Sequence, residues 1–123
     1  MGEEELKARY VRWIDELWNG PADPERLAAV AGTLVTGDFV GHWPGRVVEG
    51  PDGIAALIAE TKGMFSALSF EIEVPPFAEG EFVAARWTGR GLSATGATRF
   101  FGNDILRARD GRFAEYWVAS ATV

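Results

Sequence analysis

The most constraining feature of this chain is a two-residue turn, Asp110-Gly111, set between two apolar runs near its end. The runs span residues 97–109 and 112–119. Asp-Gly is a strong signal for a tight β-hairpin, because both central residues of a type I′ turn adopt positive φ. The chain is therefore predicted to end in a long antiparallel hairpin, and the first of its strands carries one acid, Asp104.

Alternation along that strand predicts where the Asp104 carboxylate points. The residues that share its face are small or apolar, and they are Phe100, Gly102, Leu106 and Ala108. We therefore expect Asp104 to point inward, where desolvation raises the pKa of a carboxyl group. Such a group can act as a general acid or base near neutral pH, or as a neutral hydrogen-bond donor. The alternative is a structural Asp bonded to a neighbouring arginine or a backbone amide.

Composition limits the class of protein. A length of 123 residues predicts a single domain over residues 1–123. A net charge of −6 without a Lys/Arg run argues against binding to nucleic acid or to a membrane surface. With no cysteine, one histidine and scattered acids, we expect no metal and no cofactor. The acidic N-terminus has no apolar leader segment, so we expect a cytoplasmic protein.

Three helices are predicted ahead of most of the strands. Apolar spacing predicts helices over residues 4–19, 24–31 and 51–65, with a short strand at 39–43 before the third. Strands dominate after residue 70, with Pro75-Pro76 as a break or bend. This order predicts an α+β fold, a curved antiparallel sheet with helices on one face. A small sheet that wraps around helices leaves a cone-shaped apolar cavity, the usual place for a ligand.

The aromatic content is high for a small domain, with five Trp and eight Phe. Core packing is one use of these side chains, and an aromatic-lined pocket is the second. The candidate lining residues are Trp13, Trp43, Met64, Phe65, Trp87, Phe100 and Trp117. The residues expected on the open face of the sheet are Phe101, Ile105, Tyr116 and Val118. Their apolar character predicts a homodimer through that face.

Several motifs carry a resemblance to a known family. They are Tyr10-Val11-Arg12-Trp13, the strand end from Phe39 to Gly45, the helix start from Gly50 to Ile54, Val83-Ala84-Ala85-Arg86-Trp87 and the closing hairpin. In this order the chain resembles the SnoaL-like polyketide cyclases of the nuclear transport factor 2-like, or ketosteroid isomerase-like, superfamily. The resemblance covers nearly the whole chain. It implies a cone-shaped curved sheet wrapped around three N-terminal helices, with an internal apolar cavity.

The resemblance also implies an activity, that of a cofactor-independent cyclase or isomerase for a flat hydrophobic carbonyl compound such as a polyketide. Asp104 matches the strand position of the family's active-site Asp. Tyr10 matches the segment that carries the oxyanion-hole Tyr of ketosteroid isomerases, and the alternative is a core Tyr. Those isomerases place their base, an Asp, just before a proline, where this chain has Trp43. His42, one residue earlier, is a catalytic candidate if a bulge turns it inward, and otherwise a strand-edge histidine.

Other functions stay open. A non-catalytic protein that binds a small hydrophobic molecule fits the same scaffold, and the missing base favours it. A third hypothesis is a protein-interaction domain in which the cavity is only residual. Limonene epoxide hydrolases need an Asp-Arg-Asp group, and the final strand offers no second Asp. Glu115, close to Trp117, is a weaker candidate for a second acid, because a Glu at that place more often lies on the open face.

Overall fold

The computed structural model covers residues 1–123, and its helices precede most of its strands. The helical segments are α1 (Glu3–Arg12), a π-helical continuation of α1 (Trp13–Trp18), α2 (Pro24–Leu34) and α3 (Gly50–Gly63). The strands are β1 (Val35–Trp43), β2 (Arg46–Glu49), β3 (Ala67–Glu79), β4 (Phe82–Ser93), β5 (Gly96–Arg109) and β6 (Arg112–Thr122). None of the helices is long and apolar enough to span a bilayer.

The first helix changes its winding at Trp13. In the segment Trp13–Trp18, hydrogen bonds reach one residue further back than in an α-helix, and the N–H of Asn19 donates to the carbonyl of Ile14 at 2.8 Å. Four of the six residues in this segment are buried. The predicted helix over residues 4–19 is confirmed in extent, and the π-helical turn is an addition that periodicity alone does not predict.

The helix α2 begins where its capping residue predicts, and α3 begins at Gly50, one residue before the predicted start. The Asp23 carboxylate accepts a hydrogen bond from the N–H of Arg26 at 3.0 Å, and a proline follows it at the first helical position. The helix α2 continues to Leu34, three residues beyond the prediction. The helix α3 buries an apolar stripe against the sheet and ends at Gly63.

The six strands form one open sheet in the order β2-β1-β6-β5-β4-β3. The last four strands make the predicted antiparallel meander, whereas β1 pairs with β6 in parallel. Pro75-Pro76 lies within β3, which continues past it with shifts of register on either side of Val74. Proline is tolerated there because β3 is an edge strand. The helices and the buried core cover the face that we call the inner face, and the other is the outer face.

The closing hairpin has the predicted turn, since φ is 53° at Asp110 and 78° at Gly111. Its second strand contains a β-bulge at Ala114, because Arg107 pairs with Glu115 while the next residue pairs with Phe113. The extra residue reverses the alternation that follows it. Tyr116 and Val118 are therefore buried on the inner face, and Glu115 and Trp117 lie on the outer face. The predictions that Trp117 faces inward and that Tyr116 and Val118 face outward are wrong for this reason, while Glu115 lies on the open face that was favoured for it.

Candidate functional site

A buried carboxylate with three hydrogen-bond donors lies on the inner face. The Asp104 side chain is 1% exposed, as expected for an inward residue. The Tyr10 hydroxyl donates to its Oδ2 at 2.8 Å. The Tyr116 hydroxyl and the Trp87 Nε1–H donate to its Oδ1 at 2.7 Å and 3.0 Å. We call these four residues the Asp104 cluster, and no salt bridge of the protein includes any of them.

The cluster joins one helix to three neighbouring strands. Tyr10 lies in the last α-helical turn of α1, while Trp87, Asp104 and Tyr116 come from β4, β5 and β6. Trp87 pairs across the sheet with Gly102, and a Cβ at that glycine would overlap the Trp87 ring. The glycine therefore lets the indole lie across β5 and reach the carboxylate two residues further along. The absence of a side chain at Gly102 therefore positions the Trp87 N–H.

Burial and hydrogen bonding act in opposite directions on this carboxyl group. Burial raises the pKa of Asp104 to about 6, although the hydrogen bonds from Tyr116, Trp87 and Tyr10 favour the charged form. Burial and the nearby carboxylate raise the pKa values of Tyr10 and Tyr116 above their usual range. Both tyrosines are therefore neutral donors at physiological pH, and Asp104 is the group that exchanges a proton near neutrality.

An aromatic pocket of about 160 Å³ borders the Asp104 cluster. Its lining residues are Trp18, Trp43, Leu57, Thr61, Phe70, Trp87, Phe100, Tyr116, Val118 and Ser120. Trp87 and Tyr116 belong to both groups, so the carboxylate lies one side chain behind the pocket wall. A cavity of about 150 Å³ holds benzene, so this pocket has room for about one aromatic ring. Wider depressions elsewhere on the surface do not contact the cluster.

Glycines shape the pocket wall as well. A Cβ at Gly89 would lie 2.6 Å from the Phe100 ring, and one at Gly41 would overlap the Trp43 ring. Each large ring therefore occupies the space that a side chain at the glycine would need. This pairing of an aromatic ring with glycine keeps the rings in place and leaves open space in front of them.

Three of the predicted lining residues line the pocket, namely Trp43, Trp87 and Phe100. Trp13 is fully buried in the core and contacts Tyr116 at a ring-centroid distance of 5.0 Å, behind the pocket. Phe65 stacks on Phe100 at 6.3 Å but lies outside the lining.

Met64 and Trp117 do not line the pocket, so those two predictions are wrong. Met64 is 61% exposed, because α3 ends one residue before it and the inward stripe ends with the helix. Trp117 follows the bulge in β6 and faces away from the helices.

His42 lies on the outer face, away from the Asp104 cluster. Its Nε2 is 2.7 Å from Oε2 of Glu115, and its ring stacks on Trp117 at a centroid distance of 5.5 Å. Arg107 donates to the other oxygen of Glu115 at 3.3 Å. These four residues form what we call the outer cluster. The bulge that would turn His42 inward is not present, since the register of β1 is regular from Val40 to the strand end.

Tyr116 is the residue of the Asp104 cluster that sequence reasoning missed, and the pocket-lining residues Trp18, Leu57, Thr61, Phe70, Val118 and Ser120 were not predicted either. The prediction placed Tyr116 on the open face because the alternation was extended through the bulge without interruption. The signal lay in Phe113-Ala114, two consecutive apolar residues just after the turn, which break the alternation at the position of the bulge. No group of three or more His, Asp or Glu side chains is arranged to hold a metal ion.

The family model of the SnoaL-like domain matches residues 10–116. The sequence matches no curated protein at a significant level. Among solved structures, a SnoaL-like protein of Jannaschia sp. CCS1 assigned as a polyketide cyclase is 20% identical, with a TM-score of 0.79 over 96% of this chain and 86% of that one.

Two further structures show the same fold. A protein of Catenulispora acidiphila with a ketosteroid isomerase-like fold, solved in complex with trimethylamine, is 19% identical, with a TM-score of 0.74 over 90% of this chain and 83% of that one. An LEH-like epoxide hydrolase of M. tuberculosis is 17% identical, with a TM-score of 0.71 over 97% and 84%. At such identities the likeness establishes the fold, a curved open sheet with helices on one face, and not the activity. Because the family model spans most of the sequence, this chain belongs to the SnoaL-like domain family.

Proposed function

We propose that this protein is a cofactor-independent cyclase or isomerase for a small hydrophobic carbonyl compound. One observation carries the proposal: Tyr116 and Trp87 line the aromatic pocket and donate to the same buried oxygen of Asp104. An apolar pocket with a neutral hydroxyl donor in its wall, and one proton-exchanging group behind that donor, suits reactions in which negative charge develops on a carbonyl oxygen. The pocket volume of about 160 Å³ favours a substrate of about one ring.

The tyrosine hydroxyl is the group that meets the substrate in this proposal. With Asp104 protonated, its O–H donates to the Tyr116 oxygen, and the Tyr116 proton turns toward the carbonyl oxygen of the substrate. This chain of two hydrogen bonds stabilises the oxygen as it becomes negative. The surrounding rings, Trp43 and Phe100 among them, exclude water and so strengthen both bonds.

A single acid is sufficient for a cyclisation of this type. When an enol carbon attacks a carbonyl of the same molecule, one carbon–carbon bond forms and the carbonyl oxygen takes a proton from Tyr116, which is replaced from Asp104. The enol hydroxyl loses its proton to the Tyr116 oxygen as it becomes a carbonyl, and Tyr116 returns a proton to Asp104. The proton count of the protein is unchanged, so the cyclisation of a substrate that enters as its enol does not need the missing family base before Pro44.

A second candidate is non-catalytic binding of a small hydrophobic molecule. Tyr116 is the only ionisable side chain in the pocket wall, and the Asp104 carboxylate already accepts three hydrogen bonds. The Catenulispora acidiphila protein, solved with trimethylamine, is a precedent for a small-molecule complex on this fold. In this case the Asp104 cluster would serve stability alone.

Binding of substituted phenols separates the two candidates, because a phenolate resembles an enolate in charge and shape. Affinities for a single-ring series of increasing acidity are measured at pH 7 from tryptophan fluorescence. For the enzyme, affinity rises with phenol acidity in the wild type, and the trend disappears in Asp104→Asn and Tyr116→Phe. Binding without a trend would support the carrier and contradict the enzyme.

The matched control is Tyr10→Phe. Tyr10 and Tyr116 each donate one hydroxyl hydrogen bond to Asp104, but only Tyr116 lines the pocket. We therefore expect Tyr10→Phe to keep the trend with phenol acidity. Equal loss of the trend in both variants would place the effect in the stability of the cluster rather than in contact with the ligand.

A further inference from the structure

The Asp104 carboxylate has no positively charged partner in this protein. A buried carboxylate is usually paired with a cation, because removal of a charge from water is costly. Here all three hydrogen-bond partners are neutral, and the titratable groups that face Asp104 are Tyr10 from α1 and Tyr116 from β6. The neighbour from β4, Trp87, does not titrate. In its ionised form the carboxylate therefore lacks a counter-charge from the chain.

The pocket in front of this carboxylate is walled by six aromatic rings, those of Trp18, Trp43, Phe70, Trp87, Phe100 and Tyr116. Several meet edge to face: Phe70 and Trp87 at 79°, Trp87 and Phe100 at 85°, and Trp43 and Tyr116 at 72°. Rings at such angles form the sides of a box rather than a flat slot. The face of an aromatic ring attracts cations, and tryptophan does so most strongly.

The cluster makes two of these rings better partners for a cation. Tyr116 and Trp87 donate their O–H and N–H to the same carboxylate oxygen. Donation to an anion polarises the donor and increases the electron density of its ring. The negative charge of Asp104 therefore reaches the pocket both directly and through the two rings that separate it from the ligand.

No positive side chain of the wall opposes a cation. The polar lining residues besides Tyr116 are Thr61 and Ser120, which are neutral. Lys62 follows Thr61 in sequence, but its Nζ donates to the carbonyls of Gly20 and Pro21 at 2.6 Å and 3.0 Å, outside the lining. The net charge of −6 also favours a cation over an anion.

We propose that this pocket binds a small alkylammonium cation, with the aromatic rings around its methyl groups and the Asp104 carboxylate as its counter-charge. This goes beyond the proposed carbonyl chemistry and does not depend on it, because the two uses need opposite protonation states of Asp104. A trimethylammonium group is the class of ligand that best matches an aromatic box of this size.

The test compares choline with 3,3-dimethylbutan-1-ol, which has the same shape with carbon in place of the charged nitrogen. Binding is measured by calorimetry at pH 8 and pH 5, and the methyl proton resonances are followed by NMR. At pH 8 we expect choline to bind about tenfold more tightly than the alcohol, with upfield shifts of its methyl protons. At pH 5 this preference should be largely lost, because Asp104 is then mostly protonated, while binding of the alcohol is unchanged.

Two variants with the same change of charge complete the test. Asp104→Asn should remove the preference for choline and its pH dependence, while Glu115→Gln on the outer face should keep both. The wild-type pH comparison stands even if Asp104→Asn folds poorly. Equal binding of choline and the alcohol at pH 8, or no binding of choline, would overturn the inference. The phenol trend is measured separately, so its presence without choline binding would refute this inference and leave the proposed function intact.

Discussion

Two carboxylates of this protein, Asp104 on the inner face and Glu115 on the outer face, show opposite effects of their surroundings. Asp104 is buried among neutral donors, and burial raises its pKa to about 6. Glu115 is 27% exposed, and its hydrogen bond with His42 and the nearby Arg107 lower its pKa. The difference teaches that hydrogen bonds alone do not set the charge state of an acid. The depth of burial and the charge of the partners decide it.

A single residue of register separates the two sites. Tyr116 serves the Asp104 cluster, and its neighbours Glu115 and Trp117 serve the outer cluster. The bulge at Ala114 determines which of them face inward. One inserted residue therefore gives the inner site its pocket-lining tyrosine and gives the outer face its acid. Alternation without the bulge would exchange the two sets.

Gly102→Ala should have the largest effect on the free energy of unfolding. It changes the inner site and leaves the outer cluster unaltered. A Cβ at this position would overlap the Trp87 ring, so the ring or the strand that carries it has to shift. We expect a loss of about 3 kcal/mol in the free energy of unfolding, measured by urea denaturation, at the upper end of the cost of overpacking. The indole N–H would also lose its contact with Asp104, which affects the pocket wall.

The control for this prediction is Gly37→Ala in β1. A Cβ at Gly37 meets nothing within 4 Å, so the change should alter the free energy of unfolding by about 0.5 kcal/mol or less. If Gly102→Ala is as mild as Gly37→Ala, the Trp87 ring has room to move, and the glycine does not position the donor.

The sequence was sufficient for those parts of the fold that depend on local chemistry. The turn at Asp110-Gly111, the N-cap at Asp23 and the inward direction of Asp104 all follow from rules about neighbouring residues. Trp43 and Trp87 were also placed correctly, because β1 is regular from Val40 to its end and β4 pairs regularly with β5.

The missed features depend on contacts between distant parts of the chain. The bulge at Ala114 is defined only by the pairing of β6 with β5. It places Tyr116 and Trp117 on the faces opposite to those predicted. The parallel pairing of β1 with β6 joins residues more than 70 positions apart. The exposure of Met64 depends on the point at which α3 ends, and helix ends are less certain than helix interiors.

Asp104→Asn tests the inner carboxylate through the pH dependence of stability. The folded-state pKa is raised from its ordinary value of 3.8 to about 6, so the folded protein holds more protons than the unfolded chain between these values. Stability from this group is therefore lost as the pH rises from about 4 to 6. At 1.36 kcal/mol per pKa unit, the difference amounts to roughly 3 kcal/mol.

The measurement is the free energy of unfolding in urea at pH values from 4 to 8, for wild type and Asp104→Asn. The difference between the two proteins should change in favour of the variant as the pH rises through the window. The use of a difference removes the contributions of the surface acids, which are common to both. Parallel curves would mean that Asp104 stays ionised throughout, and its burial would then have less effect on its pKa than we infer.

Glu115→Gln should have the smallest effect and the opposite sign. The folded-state pKa of Glu115 is lowered, so its stabilising effect is present above the ordinary value of 4.5 and is lost as the pH falls below it. Because the pair with His42 is partly exposed and screened by solvent, we expect the variant to lose about 0.5 kcal/mol at pH 7.

A high salt concentration should affect the stability contributions of Glu115 and Asp104 differently. In 1 M NaCl the loss from Glu115→Gln should shrink, since its partner Arg107 is charged and partly reached by solvent, whereas the pH dependence due to Asp104 should persist because it comes from burial. A loss from Glu115→Gln that resists salt, or that grows as the pH falls, would contradict this account. The outer cluster would then act as a buried ion pair in solution, which requires that something cover His42 and Trp117.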